Sequence, residues 1–153
     1  MSERRTGYKI RRAGLVDGEA VMGLLLAFGE EYRAPYAPSD EGLKGILEQV
    51  LYKGECFVAD SDGEIVGGIG GAYYRNTFNP GVMVLGELFW YVCPDWRGTQ
   101  VGGRLFLEYE KAGYEKSHGM TMTLLDSSDP RLDNSLKKRG FVVKERNYIK
   151  WRR

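Results

Sequence analysis

The chain has 153 residues, 22 Lys+Arg against 21 Asp+Glu, one His and two Cys, with 42% hydrophobic residues, which suits one compact domain able to fold alone. A formal charge of +1 gives no general pull towards nucleic acid or an anionic membrane, and one His leaves little for a zinc site or a Ser-His-Asp triad, so no metal is expected. Cys56 and Cys93 cannot form a disulfide scaffold, the longest apolar stretch (Val21 to Phe28) is far too short to span a bilayer, and the first seven residues lack a signal peptide's apolar core, so a reducing, cytoplasmic setting is expected.

Residues 1–7 read as a flexible N-terminus, and 8–153 as a single domain. Tyr8 to Ala13 alternates and predicts a first strand. Asp17 is placed to cap the helix that follows, whose apolar stripe is Ala20, Val21, Leu24, Leu25 and Phe28. A two-proline loop, Ala34 to Pro38, then leads to Ser39, a good N-cap for a second helix with Leu43, Ile46, Leu47, Val50 and Leu51 on one face. Lys53-Gly54 ends that helix. Glu55 to Asp60 and Glu64 to Tyr74 read as a hairpin closed by Ser61-Asp62-Gly63. Its second strand carries Gly67, Gly68, Gly70 and Gly71, which would let it bulge or merely make it irregular.

Met83 to Cys93 is an apolar run with a single charge, Glu87, and Pro94 stops it. A third helix carries Leu105, Phe106, Tyr109, Ala112 and Tyr114, and His118 reads as its C-terminal cap. Met120 to Leu125 predicts a buried strand, Asp129 to Lys138 a short helix, and Phe141–Val143 with Tyr148–Trp151 a terminal hairpin. The order is β-α-α-β-β-β-α-β-α-β-β. A strand, crossover helix and strand in the second half should pair in parallel, inside a mixed, mostly antiparallel sheet flanked by helices.

The most informative segment runs from Val92 to Leu105. A strand ends at a proline, and a loop of small residues opens a helix whose free N–H groups and dipole suit a phosphate or pyrophosphate. Gly98, Gly102 and Gly103 have no side chain to keep that group away, and Arg97 and Arg104 add positive charge. An ordinary glycine-rich helix start fits the same residues. No Gly-Lys-Ser/Thr follows, which excludes a Walker A loop, and no G-x-G-x-x-G is present for a dinucleotide.

Arg97-Gly98-Thr99-Gln100-Val101-Gly102, directly after Val92-Cys93-Pro94, resembles the R/Q-x-x-G-x-G/A signature of the GNAT superfamily of N-acetyltransferases. The element order resembles that family over nearly the whole chain, as does the closing Lys137-Lys138-Arg139-Gly140-Phe141 with Tyr148-Ile149-Lys150. Two residues depart from the pattern: Gln100 stands where glycine is usual, and Leu136 where many members carry a tyrosine that protonates the departing thiolate.

The resemblance implies acetyl-CoA as co-substrate and a primary amine as acceptor, attacked directly in a ternary complex. It implies that Arg97, Gly98, Thr99, Gln100, Val101, Gly102, Gly103 and Arg104 hold the pyrophosphate, that the main chain at Tyr91 and Val92 meets the pantetheine arm, and that Asn134 approaches the same arm. Glu87 is the candidate general base, the other reading being a strand-edge carboxylate in an ion pair. Tyr148 is the candidate acid or else a core-facing tyrosine. Tyr32, Tyr36 and Tyr74 would wall the acceptor side, or equally form a homodimer surface. Cys93 reads as an inert thiol, which leaves no acyl-cysteine route. The rival from another class is an acyl-CoA-binding sensor or partner-binding module that has lost catalysis. No basic stripe interleaved with aromatics suggests nucleic acid as a partner, and nothing suggests a membrane.

Overall fold

A computed structural model describes residues 7–32, 34–126 and 128–152; of the stretch expected to be flexible, only Gly7 is among them. The chain forms two compact units, Met1–Met122 and Thr123–Arg153.

The first unit is a five-stranded sheet in the order β1 (Lys9–Arg12), β2 (Gly54–Ser61), β3 (Glu64–Arg75), β4 (Met83–Val92) and β5 (Gly119–Thr121). The first four strands pair antiparallel and β4–β5 pair in parallel, as the crossover through a helix requires. The β2–β3 hairpin turns on Asp62 and Gly63, both with positive φ (50° and 88°), the geometry of a tight two-residue turn matched to strand twist.

Helices α1 (Gly18–Tyr32) and α2 (Asp40–Tyr52) cover one face of the sheet, burying Val21, Leu24, Leu25, Leu43 and Val50 against Cys56, Val58, Phe89 and Tyr91. Ser39 caps α2 as its sequence predicts, its Oγ accepting from the Gly42 amide at 3.1 Å. Helix α3 (Val101–Lys116) covers the other face with Leu105, Phe106, Tyr109 and Ala112. The β3 glycines sit where these layers meet. A Cβ on Gly70 would stand 2.7 Å from the Phe89 ring and 3.0 Å from Val50, and one on Gly67 3.3 Å from Leu105. The expected bulge exists, but in β4 rather than β3: Gly70 pairs with Phe89 and Gly71 with Glu87, which leaves Leu88 as the extra residue.

Three local expectations are corrected. Asp17 does not cap α1. It closes a short 3-10 turn, Leu15–Asp17, accepting from the Gly14 amide (2.7 Å) and from Arg11 (2.7 and 2.8 Å), because a buried carboxylate gains more from a bidentate guanidinium than from one amide. His118 is not a helix cap either: Ser117 caps α3 through the Gly113 carbonyl, while His118 joins the Met83 backbone, accepting at Nδ1 and donating from its own amide. The strand expected at Met120 to Leu125 ends at Thr121.

The second unit holds α4 (Pro130–Lys138), capped by Asp129 through the Arg131 amide at 2.9 Å. The terminal hairpin expected after it is absent: the described residues beyond Arg139 take no regular strand, and Val142, Val143, Tyr148 and Ile149 are each at least 65% exposed. Alternating apolar residues form a strand only against a partner and a buried face, and an isolated hairpin is marginal.

Candidate active site

The β4–β5 pairing covers only Val84↔Gly119, Leu85↔Met120 and Gly86↔Thr121, although β4 runs on to Val92. The two strands therefore stop pairing at Gly86, and Glu87 is the first β4 residue past that point. Its side chain is half-buried, with no hydrogen bond or ion pair among the described residues, so the strand-edge ion pair considered for it is not formed. Burial pushes the carboxyl up to about 8, because charge is costly away from water and no cation offsets it.

At the other end of β4, Pro94–Trp96 makes a short 3-10 turn, and Gly98 takes φ +80°, a conformation that favours glycine and carries the chain into α3. The Thr99 hydroxyl donates to the Trp96 carbonyl at 2.5 Å and fixes the turn. Gln100 is exposed and makes no capping bond with its side chain. The amides of Gly102 and Gly103 find no backbone acceptor among the described residues, and no atom lies within 4 Å of a Cβ placed on Gly98 or Gly103. This fits an anion approaching the backbone of the helix start, followed by the buried Val101 that anchors it.

The two arginines differ. Arg97 is committed within the protein: Nε donates to the Val92 carbonyl (2.8 Å), Nη2 pairs with Glu31 of α1 (2.7 Å), and the guanidinium lies 5.1 Å from the centre of the Tyr91 ring. Arg104 is exposed, forms no ion pair among the described residues, and lies 5.7 Å from the Tyr8 ring centre. Its charge is left available near the loop.

Tyr74 lies beside Gly86: a Cβ on that glycine would stand 2.8 Å from the tyrosine ring, so this aromatic reaches the residue where β4 and β5 stop pairing. Tyr32 ends α1 and Tyr36 lies in the loop after it, both exposed. Asn134 is exposed on α4, and Tyr148 is 89% exposed, which removes its core-facing reading; both belong to the second unit. The Cys93 and Cys56 thiols are pushed up by burial, Cys56 to about 12, so neither is an activated nucleophile. No group of three metal-ligating side chains occurs among the described residues.

Two features escape sequence reading. Glu55, 1% exposed, accepts from Arg12, from Lys116 (2.9 Å) and from Tyr73 (2.9 Å); burial works to raise its pKa, and these donors together hold it below the usual carboxylate value. Tyr109, read in sequence as one of the residues carried by the third helix, is fully buried with a hydroxyl that has no hydrogen-bond partner among the described residues. The only signal for either was a polar atom at an inward position.

The Acetyltransferase (GNAT) domain model matches residues 52–143, well over half of the chain. The chain belongs to the GNAT acetyltransferase family. The GNAT fold is also found in solved structures of low identity. An aminoglycoside acetyltransferase, meta-AAC0020, from an uncultured soil metagenomic sample superposes with a TM-score of 0.72 at 18% identity, covering 95% of each chain. AAC(6')-Iy, in complex with a CoA bisubstrate analog, gives 0.68 at 19% identity over 97% of this chain and 99% of that one. The ribosomal-protein-alanine N-acetyltransferase of Brucella melitensis biovar Abortus 2308 gives 0.69 at 19%, over 96% and 98%. Among curated proteins none matches by sequence. The domain match includes the turn from Val92 to Gly103, where Gly102 and Gly103 open α3 with amides that have no backbone acceptor among the described residues.

Proposed function

We propose that this GNAT chain is an acetyl-CoA-dependent N-acetyltransferase, a single cytoplasmic domain over residues 8–153, in which a primary amine attacks the thioester directly within a ternary complex. The observation that supports this best is Glu87, an unpaired, half-buried carboxyl at the first β4 residue beyond the β4–β5 pairing.

An alkylammonium must lose a proton before it can attack, and Glu87 takes it, directly or through a water. The amine nitrogen bonds to the thioester carbonyl carbon as the carbon–sulfur bond breaks. A main-chain amide at Tyr91 or Val92 stabilises the developing oxyanion, and the departing thiolate takes its proton from solvent. The pyrophosphate rests on the amides of Gly98 to Gly103 with Arg104 beside it, while Arg97, tied to Glu31, braces the loop rather than touching the anion. Thr99, Gln100 and Val101 shape the same turn. Tyr32, Tyr36 and Tyr74 line the acceptor side. The named acceptors of the neighbours, aminoglycosides and a ribosomal protein's alanine, both suit an amine-directed site of this kind.

Calorimetry with acetyl-CoA, followed by thiol release against aminoglycosides, amino acids and peptide N-termini, tests this reading. Binding with release on at least one amine supports it. Binding without release on any of them would favour the non-catalytic acyl-CoA-binding module, and absence of binding would remove both.

A further inference from the structure

The Tyr109 hydroxyl is buried without a hydrogen-bond partner among the described residues, and a phenylalanine would pack in its place at no such cost. The oxygen lies against Gly71, where an added Cβ would collide with it. Gly71 is the residue directly opposite Glu87 in the β3–β4 ladder. Opposed residues hold their Cβ positions about 5 Å apart on one face of the sheet, so the hydroxyl and the Glu87 carboxyl lie within reach of one glutamate side chain or one bridging water. Among the described residues, Arg12 of β1, Tyr73 of β3 and Lys116 of α3 all donate to Glu55 of β2, and Trp90 of β4 stacks its ring on Phe106 of α3. Strand β5 (Gly-Met-Thr) brings no charge, and α1 and α2 cover the opposite face. After burial, the Glu87 carboxylate is the strongest influence keeping the Tyr109 hydroxyl protonated, ahead of Tyr73 and Glu55.

We propose that Tyr109 is a positioning residue for the base: its hydroxyl donates to the Glu87 carboxylate when that group is ionised, directly or across one water, and orients it towards the amine. The inference rests on Glu87 acting as the base. A protonated Glu87 needs no donor, which matches a hydroxyl without a partner. An ionised carboxylate so poorly hydrated needs one, and Tyr109, set against the Gly71 that Glu87 faces, has a hydroxyl with no acceptor among the described residues. The effect is to enlarge the fraction of enzyme with a competent base at neutral pH.

The test is Tyr109→Phe, with the Glu87 carboxyl followed by ¹³C NMR and assigned by its loss in Glu87→Gln. The Glu87 midpoint should rise by about one pH unit, since a hydrogen bond to a charged group is worth that much. Turnover at pH 7 should fall by about tenfold and recover above the displaced limb, with KM unchanged. Thermal melts give a readout independent of activity: Tyr109→Phe should match or exceed the parent at pH 6 and fall below it at pH 9.5. A role in packing alone would lower both melts and leave the titration where it was. A Glu87 midpoint unmoved or lowered in Tyr109→Phe, while Glu87→Gln has lost turnover, would remove Tyr109 and leave the base in place. Full turnover in Glu87→Gln would overturn the base and this inference together.

Discussion

Glu87 and Gly71 face one another across the β3–β4 ladder, and the next residue of β4, Leu88, has no opposite number. That single extra residue separates Glu87 from Phe89 and Tyr91, which pack under α1 and α2. It also falls just past the last β4–β5 pair, so the bulge and the end of parallel pairing coincide at the one charged residue of the strand.

Replacing Glu87 by Gln keeps the shape and removes the proposed base. Turnover should fall by about 10²- to 10⁴-fold with acetyl-CoA affinity nearly intact, read by thiol release and calorimetry. The pH dependence carries a definite sign. With the carboxyl pushed up to about 8, the competent, ionised form gains population as pH rises, so the parent's kcat should climb through pH 8 and level off above it. The Gln variant should lose that limb.

The helix start separates folding from binding. Nothing lies within 4 Å of a Cβ on Gly103, so Gly103→Ala should leave the melting temperature equal or raised, because alanine suits a helix better by about 1 kcal/mol. The same methyl would stand where the diphosphate approaches, and acetyl-CoA affinity should drop by about tenfold or more by calorimetry. Gly98→Ala should instead cost the apo protein stability, since its φ of +80° strains any side chain.

The Glu55 cluster governs acid stability. Glu55 and Asp17 both titrate below their ordinary values of 4.5 and 3.8, so the stability they contribute is present above those values and is lost as pH falls through the lower folded-state midpoints. Arg12→Ala should cost about 2–3 kcal/mol at pH 7 in urea melts, because it leaves a buried carboxylate with fewer donors. Glu55→Gln should flatten the acid limb of stability.

Gly70 reports on the packing of α2 against the sheet. Gly70→Ala would push a methyl into the Phe89 ring and Val50, both fully buried, and should lower stability by about 1–3 kcal/mol without altering the Glu87 titration. Chemical denaturation combined with the pH profile checks both halves.

Much of this protein is written in local chemistry. Ser39 before an amphipathic run, Asp62-Gly63 between two alternating runs, and Pro94 with Gly98 ahead of a helix each act within a few residues, so their turns and caps are legible in the sequence and recur in the fold. The Val92–Gly103 turn is legible for the same reason, and with it the family. What escaped were pairings between separate elements of the fold. Asp17 looks like a helix cap until Arg11 arrives from the neighbouring strand. The alternation near Tyr148 looks like a strand, yet no partner takes it up, and the chain there stays irregular.

The candidate site divides along the same line. The amino-acid order alone sets a glycine-rich helix start after a proline and a lone acid in an apolar strand. Only the tertiary structure decides that β4 bulges at Leu88 and stops pairing with β5 beyond Gly86, and that Glu87 and the Tyr109 hydroxyl both neighbour Gly71 on one face of the sheet. Register, burial and the pKa shifts that follow from them depend on which strand or helix stands opposite, and that partner is supplied by residues tens of positions away.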